Sequence, residues 1–168
     1  MFVAGLHFIF EGIILPSIRQ NMRNKLFALR DRLRMEFING LEKHDIEAFN
    51  LIHEAINMFV NRLPLLNINV MVEVESAIRH DQKLKESVER RSNIMTSCKN
   101  ENIKIISKEL NKIIIESFVL NAGGWLIYIL PLAVAMGLWK RIIGDCKKLI
   151  AVPHHNIGKI IPYTDYCV

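Results

Sequence analysis

Between Phe118 and Trp139 the chain runs for 22 residues, FVLNAGGWLIYILPLAVAMGLW, without a formal charge, and no other stretch limits its possible folds so strongly. A helix of that length extends about 33 Å, enough to cross a hydrocarbon layer of about 30 Å. Trp125 and Tyr128 lie towards one end, and Trp139 closes the other directly before Lys140 and Arg141. Amphipathic rings followed by cations are characteristic of a lipid–water boundary. The stretch is therefore a transmembrane candidate. The competing arrangement is a buried helical hairpin in a soluble all-α domain, turned at Gly123–Gly124 or kinked at Pro131.

A second apolar stretch, Phe2 to Ile18, is interrupted by His7 and Glu11 and is expected to end near Pro16. Its cations follow rather than precede it and no small-residue cleavage site closes it, so it reads as an anchor rather than a secretory signal. Seventeen residues are marginal for a span, and an interfacial or re-entrant helix is the alternative. His7 and Glu11 are four residues apart and share a helix face, with Gly12 beside them. Ionisable groups at membrane depth are costly unless they face protein or water. Either this face lines a pore or meets further copies, or the segment lies shallow and both groups reach the headgroups.

The net charge of +5 sits beside these apolar stretches. Arg19, Arg23, Lys25, Arg30, Arg32 and Arg34 stand against Asp31 alone, whereas residues 36–116 are close to balance. Such cations meet anionic headgroups or set topology, so the high isoelectric point is weak evidence for nucleic acid. The charge rule does not choose one topology, because Lys140, Arg141, Lys147 and Lys148 follow the second stretch as the basic run follows the first. Two spans with a cytoplasmic helical middle is the preferred solution. Cys98, Cys146 and Cys167, without CxxC spacing, read as free thiols in a reducing compartment.

Between the apolar stretches the pattern is helical. Met22, Leu26, Leu29, Leu33 and Phe37 recur at three to four residues in a basic amphipathic helix from Ile18 to about Lys43, loosened by Gly40. Asp45 is a candidate N-cap for a helix whose stripe is Ile46, Phe49, Ile52, Ile56, Phe59 and Leu63, ended by Pro64. Leu65 to Glu75 alternates like a strand but has no partner strand, so it is expected as a loop leading into a helix over about 70–91. Ser92 to Asn100 is the main break. From Glu101 a helix carries Ile103, Ile106, Leu110, Ile113 and Ile114 in register and meets no breaker before Phe118.

The expected organisation is an all-α helical bundle with one or two transmembrane helices: an anchor over 1–18, a cytoplasmic amphipathic region over 19–116, a transmembrane helix over 117–140 and a basic tail over 141–168. Asn121, with the small residues Ala133 and Gly137, is a candidate helix-packing face. Arg19, Arg23, Lys25, Arg30 and Arg34 are candidates for holding a partner or a lipid surface. No glycine-rich phosphate loop, nucleophile elbow or HExxH is present, so no enzyme and no cofactor is expected. His154 and His155, near Cys146, Asp165 and Cys167, lack metal-ligand spacing.

The run NKLFALRDRLR from Asn24 to Arg34, followed by FNLIHEAINMFVNRLP from Phe49 to Pro64, resembles small two-span proteins of bacterial antiphage systems, notably the transmembrane effectors associated with some retrons. The resemblance covers about the first 140 residues and rests on arrangement rather than an invariant motif. It implies an abortive-infection effector of the bacterial inner membrane. Such an effector is held silent by an inhibitory partner, a reverse transcriptase with its RNA–DNA product, and on release oligomerises and permeabilises the bilayer. On that implication His7, Glu11 and Gly12 line or seal a pore and Asn121, Ala133 and Gly137 pack the spans. Two other classes stay open: a passive membrane adaptor tethering a partner complex, and a soluble helical subunit with the second stretch buried as a hairpin.

Overall fold

A computed structural model describes residues 8–121, 144, 146 and 148–160, and every regular element among them is helical. His7, Ala133 and Gly137 lie outside the described residues, as do Gly123–Gly124, Pro131, Trp125, Tyr128, Trp139, Asp165 and Cys167. Among the described residues no helix is long and apolar enough to cross a membrane.

The described chain opens as one helical rod. A π turn at Phe10–Ile14 leads directly into α1, Leu15–Ile38. Pro16, expected to end the N-terminal stretch, instead sits in the first turn of α1. Its nitrogen has no proton to give, and its ring crowds the carbonyl four residues back. A widened turn absorbs the misfit: the Leu15 N–H bonds to the Phe10 carbonyl, five residues back, and the helix continues. From Phe8 onward the N-terminal apolar stretch and the basic amphipathic helix are thus continuous. Gly40, at φ 94°, turns the chain after α1 in a conformation that suits glycine.

Among the described residues there follow α2 (Ile46–Arg62), α3 (Ile68–His80), α4 (Gln82–Ser97), α5 (Glu101–Asn121) and α6 (His154–Ile160), with a 3₁₀ turn at Leu63–Leu65 after α2. The structure departs from expectation at two places here. The loop expected before residue 70 is the start of α3, because the Asn67 side chain accepts the Val70 N–H at 3.0 Å. Val70 and Val74 are buried while Ile68 and Val72 are exposed. A spacing of four residues satisfies both strand alternation and one helical turn, which is why the run reads as either. The single helix expected over 70–91 is broken at Asp81, whose extended backbone ends α3 and whose Oδ1 accepts the Leu84 N–H at 3.1 Å to start α4.

The longest helices, α1 and α5, pack antiparallel. Contacts step along the seam from Arg19 against Asn121, through Lys25 and Glu116 at 3.9 Å and Arg32 and Glu109 at 2.7 Å, to Glu36 accepting from Asn102 at 3.1 Å. α2 runs back along α1, with Phe37 stacked on Phe49 at 5.0 Å. Leu26 and Leu33 of α1, Ile56 and Phe59 of α2, and Ile106 and Leu110 of α5 are fully buried in the shared core. Phe37, the last residue of the expected α1 stripe, is exposed. Cys146, Leu149 and Ile157 add a buried patch from the C-terminal segment.

Asp45 occupies the N-cap position of α2 but makes no cap bond there. Its Oδ1 accepts the Lys99 N–H at 2.8 Å, tying the loop before α2 to the loop before α5. Only 3% of Asp45 is exposed. Burial raises its pKa, but the Lys99 N–H, the Cys98 thiol and the His44 ring outweigh that, and the net displacement is below the ordinary value. Burial and Asp45 together push the Cys98 thiol up to about 11, leaving it protonated and unreactive. Asp45→Ala strands the Lys99 N–H and should cost about 2 kcal/mol in chemical denaturation. A depressed carboxyl contributes stability above its unfolded pKa of about 4, which is lost as pH falls through its folded value. The difference between wild type and Asp45→Ala should therefore be full near neutrality and shrink on acidification.

Candidate functional site

The two apolar stretches meet the helical body at one end, where a small polar knot joins three segments. Ser117 and Asn121 lie one turn apart on α5, on the face that also buries Ile113, Ile114 and Phe118. α2 stops at Arg62, and the chain turns through Pro64. The last carbonyls of a helix have no intrahelical donors and need partners from elsewhere. The Ser117 hydroxyl donates to the Leu63 carbonyl at 2.9 Å. The Asn121 amide nitrogen donates to Leu63 at 2.6 Å and to Leu66 at 2.9 Å.

The other end of the same amide faces α1. Asn121 Oδ1 accepts from Arg19 Nε at 3.2 Å and Nη2 at 2.9 Å. Desolvation lowers the pKa of Arg19, but a guanidinium remains charged throughout the range of protein stability. Both ends of a single amide are thus in use, and the fork of Arg19 is taken up by a neutral acceptor. The knot holds the end of the N-terminal apolar stretch against the beginning of the uncharged run, 102 residues later.

Phe118, nominally the first residue of that run, is only 3% exposed and belongs to the core. α5 passes unbroken through 116–117, where the sequence places a domain boundary, and reaches Asn121. On the N-terminal side Phe8 is 74% exposed, and Ile9, Ile13 and Ile14 are exposed as well. Glu11 and Gly12 sit in the π turn, and a Cβ at Gly12 would meet nothing within 4 Å. The exposed apolar turn and the uncharged run therefore start from the same end of the body.

The five cations to which the sequence points divide by use: Arg19 and Arg23, both half-buried, are hydrogen-bonded within the body. Arg23 Nε donates to the Val60 carbonyl at 3.0 Å and pins α1 to α2. Lys25 lies 3.9 Å from Glu116. Arg30 sits over the Phe27 ring at 4.9 Å, and both Arg30 and Arg34 lie 3.9 Å from Asp31. Lys25 and Arg34 remain exposed, and Arg30 is half-buried. Ser117 and the acceptor carbonyls of Leu63 and Leu66 are site groups that the sequence reading misses. A serine and an asparagine four residues apart on an apolar helical face are the visible signal for the first, while the carbonyls carry none. Among the described residues no group of three or more His, Cys, Asp or Glu side chains could hold a metal.

Compared with known protein families, curated proteins and solved structures, the chain matches none. Asn121→Ala removes the side-chain partner of the Leu66 carbonyl and of the Arg19 guanidinium, while Ser117 and the Leu66 N–H still serve the Leu63 carbonyl, and should cost about 2 kcal/mol in chemical denaturation. Arg19→Met should cost less. A double-mutant cycle should return a coupling of about 1 kcal/mol between Arg19 and Asn121, and additive losses would show that they do not interact.

Proposed function

We propose that the protein is a membrane-acting effector whose helical body delivers two apolar segments side by side to a bilayer, which they permeabilise. The contact between Arg19 and Asn121 carries this reading: it puts the roots of both apolar stretches at one end of the bundle, as entry from one face of a membrane requires. The exposed apolar residues from Phe8 to Ile14 extend from that end. The cations of α1 lie close by, suited to an anionic cytoplasmic surface.

His7, Glu11 and Gly12 line the pathway on this reading, with Ala133 and Gly137 packing the spans and copies of the chain assembling around it. Arg30 and Arg34 serve the inhibitory partner. The resemblance to retron-associated effectors supplies the setting, abortive infection at the bacterial inner membrane, with a nucleoprotein complex as the restraint. No catalytic step and no cofactor enters.

Expression of the chain alone from a tight promoter should collapse membrane potential and viability together, with the protein in the detergent-requiring fraction. His7→Leu with Glu11→Leu should restore the potential while leaving the protein in that fraction. An intact potential in cells carrying wild-type protein in the membrane would replace this reading with a passive tether. Recovery without detergent would replace it with a soluble subunit.

A further inference from the structure

On one flank of the α1–α5 seam lies an open groove of about 560 Å³. Its floor is mostly apolar, formed by Ile18 and Met22 of α1 and by Ile115, Val119 and Leu120 of α5, with the amides of Asn21 and Asn111 also in its lining. Ile18 and Leu120 are the immediate chain neighbours of Arg19 and Asn121, so the groove reaches the end of the bundle from which both apolar stretches leave. Its rim is basic: Lys25, Lys108 and Lys112 stand against Glu116 alone. Glu116 lies 3.9 Å from both Lys25 and Lys112 and is shared between them. Among the described residues Lys108 has no carboxylate at ion-pair distance, and it is exposed.

We propose that this groove binds an anionic phospholipid drawn from the bilayer, with an acyl chain along the floor and the phosphate against Lys108 and Lys112. The inference rests on the membrane reading above and deepens it by naming the lipid class and the site. Two features of the groove select this occupant. An apolar floor gains free energy by covering hydrocarbon, about 25 cal/mol for each Å² withdrawn from water. A rim of three ammonium groups and one carboxylate prefers a negative headgroup to a zwitterionic one, since lysine binds phosphate as a point charge. The position supplies the source: a lipid at the bilayer surface meets the groove where the body meets the membrane. Seated there, its single negative charge would be shared between Lys108 and Lys112, and its chain would close the apolar seam beside the knot.

The test is flotation of the purified full chain, diluted from detergent, with vesicles of phosphatidylcholine alone or mixed with phosphatidylglycerol. Wild type should partition more strongly into the mixed vesicles. Lys108→Gln with Lys112→Gln should lower that partition about thirtyfold, two lysines at about 1 kcal/mol each. Lys83→Gln with Lys85→Gln, the same charge change on α4, should leave it unaltered. Ile115→Asn should weaken partition at constant net charge. All these positions are at least partly exposed, and circular dichroism checks that each variant keeps its helix content. Equal losses in the two lysine pairs would mean diffuse charge attraction and overturn the groove assignment. Equal wild-type partition into both vesicle types would overturn it while leaving the membrane reading standing. Failure to float with either would sink both.

Discussion

Everything at the functional end of this protein depends on one carboxamide. Asn121 donates with its nitrogen to the Leu63 and Leu66 carbonyls, in the turn after α2, and holds the Arg19 guanidinium with its oxygen. A half-satisfied polar group in an apolar seam destabilises it, whereas a fully partnered one fixes a unique arrangement. With Asn121 in place the three segments have one register. Ser117, one turn earlier, adds a second donor to the Leu63 carbonyl.

A similar device closes the far end. Asp45 reaches across to the Lys99 N–H and joins the loops before α2 and α5. Between these two pins the antiparallel pair α1 and α5 carries a line of polar contacts on its surface and a continuous leucine and isoleucine core beneath. Exposed ion pairs such as Arg32 with Glu109 contribute little singly. The core supplies the cohesion, and the buried polar pins decide how the helices are aligned.

The same layout has a mechanical consequence. The widened turn before Pro16 lets residues 8–14 of the N-terminal apolar stretch run into α1 without a hinge, and α5 runs into the uncharged run as far as Asn121. A displacement of the body is therefore delivered to the roots of both apolar stretches together. A partner that gripped α1 or α5 would act on that end through stiff helices rather than loops, as the proposed effector, restrained by binding and released by its loss, requires.

Helix positions are largely legible in the sequence, because periodic leucine and isoleucine and the stop at Pro64 are local signals. Met22, Leu26, Leu29 and Leu33 on α1 and Ile103 to Ile114 on α5 are buried where their spacing places them. Elements decided by side-chain caps are less so: Asp81 divides a helix that hydrophobic period alone would continue, and Asn67 turns an alternating run into the start of α3. Partners are not legible at all. Nothing in the spacing of Arg19, Leu63 and Asn121 shows that they meet, since hydrogen bonds between residues so far apart arise only once the helices have packed. Sequence alone determined that this chain is helical, with two apolar stretches flanked by basic charge, because those properties reside in single residues and their nearest neighbours. That the two stretches leave one end of one body was decided by the tertiary structure, because it depends on which amide and which guanidinium the packed helices bring within reach of the turn after α2.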